Sequence, residues 1–211
     1  MAEIKNKRYR EFLDKGEIEY IEMDHIDKAL SNIKGSKVRE GRALLICAYY
    51  TGARPAEYLQ ILGKDVRRNN NYITIKVKGV KNGLTRTINI PLSKKHMKEF
   101  YDYSQTVFDN VPLFHHYISR YERVHISKKG KIVRYKEVST NLRYWFKKWF
   151  SFMQNPPNPY FLRHNRFSSL AESGASDRDL TLIKGCKTAD SITPYIHLSS
   201  ARSKKVGRLL K

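Results

Sequence analysis

Hydrophobic positions recur at helical spacing in the first quarter of the chain and then switch to alternation. Ile26, Leu30 and Ile33 follow Asp24, a helix-capping residue type, with Asp27 in the first turn and Gly35 as the stop. Ser36 opens a second predicted helix through Leu44, Leu45 and Ala48, ending at Thr51-Gly52. Arg54 follows, then Pro55, a residue suited to a first helical turn, and a short helix from Ala56 to Leu62 closed by Gly63. Tyr72 to Lys78 then alternates as a strand, Asn82-Gly83 signals a turn, and Thr85 to Leu92 alternates again through Ile88 and Ile90. This predicts a β-hairpin with lysines near its tip. Ser93 caps a helix carrying Met97, Phe100 and Tyr101.

The stretch from Asp109 to Val138 has no clear period. Arg120, Arg123, Lys128, Lys129, Lys131 and Arg134 are interleaved there with Tyr121, His125 and Tyr135. Such a mixture suits phosphate and base contacts, and a solvated loop, or a second hairpin around Lys129-Gly130, suits it equally. Ser139 opens the most regular helix, in which Leu142, Trp145, Phe146, Trp149, Phe150 and Met153 fall on one stripe. That spacing favours a core face over a base-stacking platform. Pro156, Pro157 and Pro159 break the chain before a helix from Tyr160 to Ser173, ended by Gly174. Ser176 and Asp179 form a capping-box variant for a helix through Leu180 and Ile183, and a last short helix runs from about Asp190 to Leu198. The fold class is therefore α+β, mainly helical, with a small antiparallel sheet. Residues 1–20 read as a basic arm or linker, 21–200 as one domain, and 201–211 as a basic tail.

Charge sharpens this picture. The 211 residues contain 41 Lys and Arg against 20 Asp and Glu, a formal net charge of +21. An excess spread along the whole chain calls for a polyanion, nucleic acid before an acidic membrane surface. No run approaches the ~18 apolar residues of a membrane span, and the first ten residues lack the apolar core of a leader. Cys47 and Cys186 are too few for a disulfide framework or a Cys-rich zinc site, and His115-His116 lacks the spacing of a zinc helix. There is no Gly-rich phosphate loop. The expectation is an intracellular, cytoplasmic DNA-binding protein without a metal or nucleotide cofactor.

Candidate chemistry lies in the last quarter. Tyr160, Arg163 and His164 share one helix face, and Arg54 stands at the mouth of another helix. Two guanidinium groups suit a phosphate that gains charge under attack. A tyrosine hydroxyl, with a reference pKa of ~10, is a usable nucleophile only beside cations or a base.

Over roughly residues 24–200 the chain resembles the catalytic domain of the tyrosine recombinases, the phage-integrase family. Thr51-Gly52-Ala53-Arg54-Pro55-Ala56-Glu57 looks like that family's first-arginine box. Leu162-Arg163-His164, with Gly174 following, looks like its second, and Gly185, Tyr195 and His197 look like its ending. The resemblance implies that Arg54 and Arg163 hold the scissile phosphate and that Tyr195 attacks it, forming a 3′-phosphotyrosyl bond. It implies a hairpin lysine, Lys81 or Lys78, that protonates the leaving oxygen, with Glu57 a structural acid behind Arg54. Lys76, Lys78, Arg86 and the six basic residues between 120 and 134 would contact DNA. The family cuts duplex DNA at attachment sites as a homotetramer, without a cofactor, to integrate or excise mobile and viral elements. A DNA-relaxing enzyme like the type IB topoisomerases, or a non-catalytic DNA binder, is the alternative.

Three departures stand out. Tyr160 occupies the position where the family has His or Lys, a site that varies in archaeal and archaeal-virus members. Cys186 occupies the usual His or Trp position, leaving Lys187 beside it as a substitute phosphate contact. Only about 20 residues precede the domain, where members carry a DNA-clamping helical domain. A fragment, or reliance on another chain or on the basic insert, would explain that.

Overall fold

The structure is a computed structural model that describes residues 20–80, 83–117, 122–126, 132–136, 140–186, 192 and 195, with 122–126, 132–136, 140 and 141 as backbone alone. The strongest hydrophobic segment of the sequence becomes its central helix. The first helix, α1 (Met23–Asn32), lays Ile26, Ala29 and Leu30 against α2 (Val38–Thr51). Helix α2 is buried nearly all round, from Ala43 through Leu44, Leu45, Ile46, Cys47 and Ala48. A helix apolar on every side needs partners on every side. Besides α1, α2 packs against α4 (Met97–Ser104) and α6 (Phe161–Glu172). The aromatic stripe of α5 (Thr140–Trp149) packs into the same core, with Leu142, Phe146, Trp149 and Phe150 at 1 % exposure or less. The stripe is thus core, and Lys147 and Lys148 point to solvent.

The period-two stretch forms an antiparallel meander of β1 (Val66–Asn69), β2 (Tyr72–Lys78) and β3 (Thr85–Pro91). Ile73 pairs with Ile90, Ile75 with Ile88, and Val77 with Arg86. Side chains alternate between faces, so Ile73, Ile75, Val77, Ile88 and Ile90 line the buried face, and Arg86 joins them. Lys76 and Lys78 fall on the exposed face. A second hairpin pairs β4 (Glu122–Ile126) with β5 (Ile132–Lys136), so the basic stretch carries two strands. Arg123 and Arg134 lie on them. Arg120, Lys128, Lys129 and Lys131 lie outside the described residues, as do residues 201–211.

The elements differ from the expected ones in several places. The helix expected over 56–62 is only α3 (Pro55–Tyr58). The chain turns because Ile61, Leu62 and Gly63 bond to residues 111–113: Leu113 N–H donates to the Ile61 carbonyl at 2.8 Å, and Leu62 bridges Pro112. Strand β1 was not expected, because Val66-Arg67-Arg68-Asn69 has only one apolar position to mark it. Helices α1 and α2 are capped by Glu22 and Lys37 instead of Asp24 and Ser36, within the usual play of helix ends.

Helix α2 meets α1 and α5 through Gly41. A Cβ there would stand 2.7 Å from the Tyr117 hydroxyl and 3.0 Å from the Ile33 side chain. Gly41→Ala is therefore expected to lower stability by roughly 1–3 kcal/mol through overpacking, read as a lower denaturant midpoint at unchanged slope. Equal or greater stability would contradict this packing.

Candidate active site

The site begins where α2 stops. Thr51 turns its hydroxyl back to the Cys47 carbonyl at 2.7 Å, and Gly52 takes a left-handed conformation, φ 55°. A side chain there would be strained and would also meet Arg166 at 3.1 Å. This sharp exit frees the Gly52 carbonyl and delivers Arg54 to the N-terminus of α3. Glu57, one turn on, receives the Arg54 backbone N–H at 2.9 Å and its guanidinium at 2.7 Å. Glu57 is fully buried.

Two more guanidinium groups converge on this carboxylate. Arg86 donates to Glu57 Oε2 at 2.7 Å, and Arg163 Nη1 lies 3.8 Å from the same oxygen. Arg163 also donates to the carbonyls of Gly52, at 2.7 Å, and Lys184, at 3.1 Å. Burial drives the Glu57 carboxyl pKa up, but the bonds from Arg86 and Arg54 outweigh it and hold the group below the usual carboxylate range. Burial, then the Arg54 charge, pulls Arg163 down to about 10, which leaves it cationic at neutral pH. Arg54 keeps 29 % of its side-chain surface exposed, against 4 % for Arg163, so it is the outward edge of the cluster.

Tyr195 reaches the same place from the far end of the chain. A small satellite core of Phe167, Leu180 and Ile192 seats its ring. Its hydroxyl is 2.8 Å from His164 Nδ1. The Lys184 ammonium, at the end of α7 (Asp177–Lys184), lies over its ring at 4.6 Å from the centroid. Burial raises the Tyr195 pKa to about 12 against the lowering pull of Arg163. Burial, with Lys184 and Arg163 adding to it, lowers His164 to about 4, and burial lowers Lys184 to about 8. A buried tyrosine, a neutral imidazole and a converging set of arginines form a site for attack on an anionic centre.

Residues 18–202 match the model of the phage integrase family. The chain belongs to that family. Its fold is that of the XerA recombinase crystal structure, with TM-score 0.63 at 20 % identity over 92 % of this chain and 64 % of that one. It also matches the XerH site-specific recombinase bound to difH substrate in a post-cleavage complex, with TM-score 0.62 at 18 % identity, covering 89 % of this chain and 52 % of that one. A lambda integrase tetramer bound to a Holliday junction matches with TM-score 0.51 at 19 % identity, covering 82 % of this chain and 48 % of that one. The chain thus spans less than two thirds of the length of these structures. No curated protein sequence matches it.

Within the integrase-family site, the structure brings Arg54, Arg163 and Tyr195 together. Tyr160 stands three residues before Arg163. It caps α6 at 42 % exposure, while Arg163 turns inward. Cys186 is half-buried just beyond α7, whereas Lys81 and Lys187 lie outside the described residues. Arg86, expected on the DNA-facing surface, is at 8 % exposure beneath Gly185, where a Cβ would meet its Nη1 at 3.0 Å. Its place on the inward face of β3 directs it to Glu57. The sequence reading passed over Lys184 altogether. Leu180 four residues earlier marked that face of α7 as inward.

One further cluster could bind a metal among the described residues: Glu40, His115 and His116 have ligand atoms within 4.8 Å of one another. His116 already bonds both Glu40 oxygens, and its Nε2 is 2.5 Å from the Lys37 ammonium. Those groups satisfy one another. No described helix is long and apolar enough to cross a membrane.

His164 sets a pH dependence of stability. Its folded pKa, about 4, lies below its ordinary 6.5. Between these values the unfolded chain binds the extra proton, so stability is full above pH 6.5 and is lost as pH falls towards 4. The expected loss is roughly 3 kcal/mol, at 1.36 kcal/mol per unit. Denaturant unfolding at pH 7 and 4.5 should show a steeper acid loss in wild type than in His164→Asn. Equal losses would mean that His164 is not held neutral by the fold.

Proposed function

We propose that the chain is a site-specific DNA recombinase that cleaves and rejoins duplex DNA through a covalent link to Tyr195. The observation that carries this reading is the junction of three distant segments, which sets a buried tyrosine hydroxyl beside Arg163 and Arg54 in a chain of net charge +21. A scissile phosphate enters at Arg54 and is held between it and Arg163, whose guanidinium groups stabilise the charge that develops on its oxygens. The Tyr195 oxygen forms a bond to phosphorus and the bond to the 5′ oxygen breaks. A hairpin lysine, Lys78 or Lys81, gives that oxygen its proton. The new ester retains the energy of the broken phosphodiester, so rejoining needs no nucleotide cofactor. Cys186 or Lys187 adds a contact on the remaining side of the phosphate.

Lys76 and Lys78, on the exposed face of β2, and the basic second hairpin hold the DNA backbone. Recombination of two duplexes takes four protomers, consistent with the tetramer seen for lambda integrase. The chain acts where the host DNA lies, in the cytoplasm. Tyr160 and Cys186 stand where the family has titratable or bulkier groups, and this favours a second reading: a DNA binder without cleavage.

Covalent capture separates the two. Nicked duplexes with a randomised core are incubated with the full chain, denatured, and the protein-linked strands sequenced. Wild type and Tyr160→Phe are expected to yield a discrete sequence, and Tyr195→Phe at least ~100-fold less adduct. Salt-sensitive binding without adduct from wild type supports the inert binder, and loss in Tyr160→Phe alone reassigns the nucleophile.

A further inference from the structure

Two groups stand at the Tyr195 phenol, and neither was given a role by the resemblance described above. Helix α6 supplies His164, the residue after Arg163, and the end of α7 supplies Lys184. Tyr160, one turn before His164 on the same helix, is 42 % exposed, whereas Tyr195 is 3 % exposed. Among the described side chains, the atom in hydrogen-bonding contact with that hydroxyl is His164 Nδ1, at 2.8 Å.

We propose that His164 is the general base that takes the proton from the Tyr195 hydroxyl. This rests on Tyr195 being the nucleophile. In the tautomer protonated at Nε2, the phenol donates and Nδ1 accepts, so the bond points the proton the right way. Other faces of the pocket exclude alternatives. Lys184 Nζ lies over the ring, 4.6 Å from its centroid, and over Phe167 at 5.9 Å, so it meets the π face. Arg163 and Arg54 are cations committed to Glu57 and the phosphate. Cys186 is the remaining titratable neighbour of the phenol.

In cleavage, the proton passes from Tyr195 Oη to His164 Nδ1 as the Oη lone pair bonds to phosphorus. The 5′ oxygen leaves with its bonding pair and is protonated by the hairpin lysine. The incoming phosphodiester adds a negative charge beside His164, Lys184 and Arg163, which stabilises the imidazolium. In rejoining, His164 returns the same proton to Tyr195 as the 5′ hydroxyl attacks. The low pKa of His164, near 4, keeps the imidazole neutral and ready to accept at any pH above about 5.

The test uses the duplex recovered by covalent capture and the full chain. Single-turnover cleavage is measured from pH 5 to 9 for wild type, His164→Asn and His164→Ala, with unfolding midpoints and DNA affinity measured alongside. Asn places an acceptor near the Nδ1 position but takes no proton. Both variants are expected to cleave ~100-fold or more slowly with unchanged DNA affinity. Their residual rate should rise with pH, whereas wild type should be level above pH 6. Near-wild-type cleavage by His164→Asn would reduce His164 to a positioning acceptor, and faster cleavage by His164→Ala would make the bond a latch. Either overturns the proposal. A persistent adduct in Tyr195→Phe instead removes the nucleophile assignment. A readout independent of activity is the 15N shift of His164. Nδ1 is expected to be unprotonated and to move in Tyr195→Phe; a protonated Nδ1 at pH 7 would exclude His164 as the base.

Discussion

A single buried carboxylate organises this molecule. Glu57 has no exposed side-chain surface and gathers Arg54, Arg86 and Arg163 from α3, β3 and α6. Three guanidinium groups placed so close together would repel one another in a region of low dielectric. An unpaired Glu57 there would carry a desolvation cost of several kcal/mol. The sheet, the exit of α2 and α6 are therefore tied together by charge. Arg86 completes the arrangement from below: it leaves Arg54 its exposure and supports Gly185, which ends α7 in a left-handed turn, φ 67°.

The same arrangement gives the two arginines different settings. Arg54 is the outward cation, and Arg163 is pinned by two backbone carbonyls, so its position is set by the fold itself. Preorganisation of this kind is the main route by which charged groups lower a barrier. Tyr195 is held in its own small core of Phe167, Leu180 and Ile192, apart from the main core.

Much of the fold was legible in the sequence because its signals are periodic. The stripe from Leu142 to Phe150 gave α5 and its buried face, and alternation gave β2 and β3. The candidate pair of Arg54 and Arg163 came from recognisable boxes, and the structure brings both to Glu57. Arg86, read as a DNA contact, is buried against Glu57, for a reason that the sequence did contain. It is in phase with Ile88 and Ile90, so the alternation that identified the strand also points it inward. Its charge drew attention to the surface. Lys184 was missed in the same way, four residues after Leu180 on α7. The end of α3 was overrun because Leu59, Ile61 and Leu62 continue an apolar pattern, and only the long-range pairing with residues 111–113 shows that they leave the helix. Tyr160 stands at the N-cap of α6, three residues before Arg163, and is 42 % exposed.

The most direct measurement is a double-mutant cycle on Glu57 and Arg86, using Glu57→Gln, Arg86→Met and the double variant in denaturant unfolding. Glu57→Gln leaves Arg86 buried without its anion, Arg86→Met leaves Glu57 to Arg54 and Arg163 alone, and the double change removes the pair. The account predicts that the double variant is more stable than the sum of the singles by roughly 1–3 kcal/mol. Additive losses, within about 0.5 kcal/mol, would show that Glu57 does not hold the arginines together and would contradict the account.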